Sequence, residues 1–264
     1  MAMNIFVSFF SLETIGLSVF EIVALLMVIL IASVIRGYAG FGFSAIVVAS
    51  ASLFLPTREI VPLVLLLEVT ASLQMAINIW KSVNWQLVFS ILIASFIFIP
   101  LGQWVLLWVD VEPMRIITAV LLLLAVTLTA TGRSFPLPNN PKGWFLIGTV
   151  SGFMNGLMAM GGMWAMIFLL GSGIRISTLR ASLVALFFIT DCYAIASGLG
   201  QGLINSVTLK RFIWVFPVLL IGIQFGVKKF DPAKSEIYRK VVFSVLSALA
   251  MVLVVRNIVI RFFF

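Results

Sequence analysis

The stretch WQLVFSILIASFIFIPLGQWVLLW, residues 85–108, runs for 24 residues without a charge. About 20 apolar residues match the hydrocarbon core of a bilayer, where backbone N–H and C=O groups must find partners within a helix or a closed barrel. Further apolar runs cover 17–35, 44–55, 60–80, 116–131, 144–158, 163–171, 179–199, 212–227 and 241–255. Over the whole chain 62% of residues are hydrophobic and 10% charged, against about 45–50% and 25% in a soluble domain. The expected fold is an all-α polytopic membrane protein.

The formal charge of +8 comes from Lys and Arg in short connections between apolar runs. There they set topology and meet lipid headgroups, so the surrounding membrane lipid is the expected partner and nucleic acid is not. One cysteine, Cys192, and no histidine rule out a disulfide framework and a His- or Cys-rich metal site. No cofactor is expected, and without a GxxxxGK[ST] motif the chain does not hydrolyse ATP itself. Catalysis has little to build on, and an enzyme is not expected. The first residues, MAMNIFVSFFSLETIG, lack the basic start of a cleaved signal peptide.

The chain divides at GRSFPLPNNPKG (132–143), with three prolines and two asparagines, into repeats 1–131 and 144–264. Their features match in order. Gly42 corresponds to Gly162, 120 residues on, and each opens a short apolar run. Asn84 and Asn205 each precede a long run, Gly102 corresponds to Gly226, and RIITAVLLLLAV (115–126) to RKVVFSVLSALA (239–250). Pattern repeats of this kind are frequent in secondary transporters. If each glycine break is a hairpin, each half holds a broken hairpin plus three spanning helices, and the halves are inverted. If each is one continuous crossing, the halves are parallel. Sixteen loop Lys and Arg residues, Arg36 set aside, split 10 to 6 across the membrane in the hairpin reading and 9 to 7 in the continuous one. The positive-inside rule therefore favours inverted repeats with both termini outside.

The break IRGYAGFGFSAIV (35–47) sets a charge and three glycines inside an apolar region. Irregular backbone at membrane depth persists where it is buried in protein or lines a cavity. A helix that starts after such a break offers free N–H groups and a partial positive charge, which suit an anion. Such starts lie near Phe43 and near Met163, and in an inverted repeat they converge on the midplane. Arg36 adds a planar fork that holds two oxygens of an oxyanion. The competing reading is an Arg36 that snorkels to an interface and glycines that only pack helices. The expected binding set is Arg36, Gly37, Tyr38, Gly40, Phe41, Gly42 and Ser44 from the first break, with Asn155, Gly161, Gly162 and Trp164 from the second. Asn155 precedes its break as Arg36 precedes the other, and Trp164 is expected to wall the pocket.

Three acids interrupt apolar runs. Glu21 sits near a helix start and faces headgroups. Glu68 lies 26 residues after Gly42 and Asp191 lies 29 after Gly162, about one helical turn apart in register. Both are proton-coupling candidates; pairing with Arg36 or Arg180 is the structural alternative. Thr70, Gln74, Asn78, Thr190 and Tyr193 are read mainly as helix contacts, and Trp80, Trp85, Trp104, Trp108 and Trp144 as interfacial belt residues.

RGYAGFGFSAIVVASASLFLP (36–56) and EVTASLQMAIN (68–78), repeated more loosely as GFMNGLMAMGGMWAMIFLL (152–170) and LRASLVALFFITD (179–191), resemble the TauE/SafE family of sulfite and organosulfonate transporters. The likeness covers about residues 17–255. It implies a multi-pass secondary carrier of the bacterial inner membrane that handles sulfite, thiosulfate, sulfoacetate or a related sulfonate, mostly as an exporter. The family's motif glycines map onto Gly37, Gly40, Gly42, Gly161 and Gly162. Met160 and Met163 flank the second pair, a departure that suits a ligand with one apolar end. The residues themselves point to a small anionic substrate; sulfur and direction come from the resemblance. A passive anion channel would use the same pocket, and homo-oligomer formation is left open.

Overall fold

A computed structural model describes residues 16–130, 140–169 and 172–229. Among these residues there are nine α-helices and no strand. They are α1 (Val19–Ala39), α2 (Phe43–Ala51), α3 (Thr57–Ile79), α4 (Trp85–Trp108), α5 (Val111–Ala130), α6 (Pro141–Met158), α7 (Gly161–Leu169), α8 (Ile176–Gly200) and α9 (Ser206–Lys228). Five of them, α1, α3, α4, α8 and α9, carry stretches long and apolar enough to cross a membrane. The run 241–255, the Phe262 to Phe264 tail and most of the central linker lie outside the described residues, as do Arg133, Lys234, Arg239, Lys240, Arg256 and Arg261 of the charge count and the side chain of Asn78.

Helix starts follow local chemistry. Ser18 and Glu21 form a capping box at α1, so Glu21 satisfies orphan backbone donors at the helix start. Asn84 and Asn205, each read from sequence as preceding a long run, cap α4 and α9 through their side-chain oxygens. The helices present large apolar side chains outward. On α4, Phe89, Ile93, Ile97, Leu101 and Trp104 are exposed, while Ser95, Gly102 and Gln103 are buried. That polarity suits lipid outside and close packing inside.

Glycines set which helices pair. On α6, Gly148 and Gly156 press on the carbonyls of Ile91 and Ile99 in α4, and Gly152 lies on the backbone of Ser95. Across the molecule, Gly222 and Gly226 of α9 press on Ser33 and the Val34 carbonyl of α1. The two contacts repeat one pattern. Gly37 meets the Ile223 carbonyl and the Val227 amide; Gly156 meets the Ile99 carbonyl and the Gln103 amide. Gly226 meets the Val34 carbonyl and the Tyr38 amide; Gly102 meets the Phe153 carbonyl and the Leu157 amide. The first helix of each half thus packs on the fourth of the other in the same register, and α3 packs on α8 between them.

This register moves position 37 to 156, a shift of 119. It corrects the correspondence read from sequence by one residue: Gly42 matches Gly161, not Gly162. Gly40 then matches Ala159, and these two residues end α1 and α6 in the left-handed region, at φ 81° and 55°. Ala159 is the only described non-glycine with positive φ. In the second half the chain doubles back at its break, because Gly161 lies against the Ser151 carbonyl and the Asn155 side chain, more than a turn below the end of α6. Helices α2 and α7 have nine residues each, or about 14 Å, under half the hydrocarbon thickness. All nine residues of α2 are buried.

Candidate functional site

Arg36 occupies the last turn of α1 and is 0% exposed. Its Nη1 donates to the Gly40 carbonyl at 2.5 Å, closing the C-terminus of its own helix, where a cation also meets the negative end of the dipole. Its Nη2 donates to Ser72 Oγ and pairs with Glu68 Oε2, both at 2.9 Å. The Phe187 ring lies 4.8 Å from Cζ, within cation–π range. The Glu68 carboxylate also spans to the first turn of α2, where Oε1 accepts from the Ser44 amide at 3.3 Å. Glu68 thus bridges a guanidinium and a helix N-terminus.

The second half answers with weaker groups at matched positions. Asn155, the counterpart of Arg36, donates from Nδ2 to Asp191 Oδ1 at 2.8 Å, as Arg36 donates to Ser72, the counterpart of Asp191. Both bonds span 36 residues. Phe187 stands where Glu68 stands in the first half. One half therefore carries arginine, glutamate and serine; the other carries asparagine, phenylalanine and aspartate. The two carboxylates sit one helical turn apart in register, as their spacing implied.

These groups meet at one cavity, lined by Arg36, Glu68, Asn155 and Asp191 with Gly42 and Ser44 of the first break and Ala159, Gly162 and Met163 of the second. Its volume is about 10 Å³, room for roughly one water. A sulfur oxyanion is larger than that space. The sequence suggested a positive, wet pocket. Instead, the cavity carries one cation and two carboxylates, and the cation is engaged by one of them.

Of the residues singled out from sequence, Arg36, Gly42, Ser44, Glu68, Asn155, Gly162 and Asp191 line the cavity. Gly37 packs α1 on α9, Gly40 lies under the side-chain stem of Arg180, and Gly161 rests on α6. Tyr38, Phe41 and Trp164 are buried off the cavity wall, and Trp164 Nε1 has no hydrogen-bond partner among the described residues. Thr70 and Thr190 bond carbonyls of their own helices, Gln74 reaches the Leu220 carbonyl, and Tyr193 stacks near Phe96. Those are helix contacts, as expected of them. Phe187 and Ser72 were missed, and Arg180, read from sequence as a pairing partner for Glu68 or Asp191, bonds a backbone carbonyl instead. Arg180 crosses from α8 to donate to the Gly37 carbonyl at 2.6 Å, so two arginines hold carbonyls at the C-terminal end of α1.

Known families bear on this geometry. The family described as Sulfite exporter TauE/SafE matches residues 25–253. The chain belongs to that family. The match spans both breaks and every cavity residue named above. No curated protein and no solved structure matches the chain. As a TauE/SafE member with five helices apolar enough to cross a membrane, the chain is a multi-pass membrane transporter.

Asn155→Ala is expected to lower stability by about 1–3 kcal/mol, because Asp191 is left buried without its donor. A thermal melt in detergent reads this. A melting temperature unchanged from wild type would mean that water or another donor replaces the amide at no loss.

Proposed function

We propose that this chain is a secondary transporter that exports a small sulfur-containing anion, sulfite or an organosulfonate, across the bacterial inner membrane. The observation that carries the reading is that both helix breaks, one arginine and two carboxylates meet at one small cavity between the halves. The substrate binds there, near the midplane, with Arg36 and the Ser44 amide as its donors. The two halves are inverted repeats, and alternating access is their rocking about the α3–α8 contact. The matched glycine registers and the doubled-back second break support this. One of the two buried acids, Glu68 or Asp191, loads and releases the coupling proton. Sulfur chemistry and outward direction are taken from the family description.

A passive channel would need a continuous wet path, and a cavity the size of one water favours a carrier. The test is flux in proteoliposomes. Uptake of labelled sulfite is expected to saturate, to show counterflow and to respond to an imposed pH gradient, with competition by sulfoacetate, taurine or an aromatic sulfonate naming the substrate class. Non-saturating flux without counterflow would make it a channel. No flux of any of these from inserted, folded protein would overturn the sulfur assignment.

A further inference from the structure

We propose that Glu68 is a tethered stand-in for the substrate, occupying the anion seat in the closed state and leaving it only when protonated. The inference rests on the transport reading above and names how its site is regulated. Glu68 presents two oxygens on one carbon, one in an ion pair with Arg36 and one in a hydrogen bond from the Ser44 amide, the two groups that an oxyanion would use. Oε2 lies 2.9 Å from Arg36 Nη2, and Oε1 accepts from the Ser44 amide at the start of α2. An incoming sulfonate or sulfite has the same feature, two oxygens on one centre, and needs the same donors. The seat cannot serve both.

The surroundings say what displacement requires. The titratable and charged groups facing Glu68 are Arg36 from α1 and Asp191 from α8, with Arg180 of α8 behind the first break. The residues of α2 carry no charge, and at the cavity α6 contributes the neutral Asn155. The ionisable residues of α5 and α9, Glu112, Arg115, Lys210, Arg211 and Lys228, do not line it. Pushed off Arg36, an ionised Glu68 would meet Asp191 and no other cation at the cavity wall, and a buried, unpaired charge is strongly unfavourable. A proton removes that penalty. The step balances: an ionised Glu68 paired with Arg36, plus one anion and one proton, gives a neutral Glu68 and the anion paired with Arg36. Arg36 also keeps a donor in reserve, because its buried Nε has no hydrogen-bond partner among the described residues. Proton uptake and anion binding are then one event, and Asp191 is not the group that couples them.

The experiment measures the affinity of the purified full chain for sulfite and for methanesulfonate by calorimetry. Methanesulfonate is the probe for the pH series because its own charge is constant between about pH 5 and 8, where the protein's acids are free to titrate. Uptake of one proton on binding makes affinity rise about tenfold for each unit that pH falls, wherever Glu68 is ionised without ligand and neutral with it. Glu68→Gln is expected to bind at high pH at least as tightly as wild type does at low pH, and to lose the slope. Asp191→Asn is expected to keep it. Wild-type binding that does not change with pH, or a slope that survives in Glu68→Gln, overturns the inference and leaves anion transport standing. A slope lost in Asp191→Asn and kept in Glu68→Gln reassigns the proton to Asp191. Where Glu68→Gln does not fold, the wild-type slope and its persistence in Asp191→Asn decide alone. Failure of sulfite and methanesulfonate to bind at any pH overturns the transport reading, and this inference with it.

Discussion

Arg36→Ala is expected to abolish anion binding and to destabilise the chain by about 3–5 kcal/mol, the loss typical when one partner of a buried ion pair is removed. Arg36 is 0% exposed and holds Glu68, Ser72 and the Gly40 carbonyl together. Without it, an ionised Glu68 lies buried with only an amide for company. The burial of the pair argues for a damaged fold. Binding and folding are separated by Arg36→Gln combined with Glu68→Gln, which removes both charges and keeps the shape. The double variant is expected to recover most of the lost stability in a thermal melt and still to bind no anion. Arg36→Lys should recover part of the binding, since an ammonium supplies charge but cannot reach three acceptors in the geometry of a planar fork. Wild-type affinity in Arg36→Ala would make the arginine a helix cap and nothing more.

Much of this candidate site was legible in the sequence, for a physical reason. A charge and three glycines in an apolar run are expensive unless something nearby compensates them, so Arg36, Gly42, Glu68 and Asp191 stand out by cost. The partners that do the compensating are not legible in the same way. Ser72 and Phe187 are ordinary residues of an apolar helix, and only the three-dimensional match between the halves shows that they occupy the positions of Asp191 and Glu68. The same match was recoverable in principle from spacing, because Arg36 to Ser72 and Asn155 to Asp191 are both 36 residues apart. Pattern comparison fixed on the glycine pairs, whose register is blurred by one because Gly161 and Gly162 are adjacent.

The sign of the pocket was the harder matter. Counting Arg36 and two helix N-termini gives a positive site, and that count omits where each carboxylate points. Glu68 reaches the very donors counted as free. Arg180 was read as a possible partner for a buried acid, yet its stem covers Gly40 and its guanidinium holds the Gly37 carbonyl. Long flexible side chains of this kind carry charge several ångströms from their sequence position, and no run of letters shows the direction.

Gly37→Ala and Gly156→Ala are expected to cost the same as each other, about 1–3 kcal/mol or more each, although the two residues lie in different halves and only one was expected to bind substrate. An added Cβ at Gly37 would strike the Ile223 carbonyl and come within 3.0 Å of the Val227 amide; at Gly156 it would strike the Ile99 carbonyl and come within 2.9 Å of the Gln103 amide. The obstacle in both cases is backbone, which cannot rotate aside, so α1 must part from α9 and α4 from α6. Inside a bilayer, helix pairs of this kind depend on close van der Waals contact, and separation forfeits it along the whole seam. Gly200→Ala is the control: Gly200 is the last residue of α8, and a Cβ there meets nothing within 4 Å. Thermal melts of the three variants test the idea that a duplicated contact carries duplicated energy. Equal losses at Gly37 and Gly156 with none at Gly200 support it. A Gly37→Ala protein that melts like wild type and yet fails to bind anion would return Gly37 to the site and break the equivalence of the two seams.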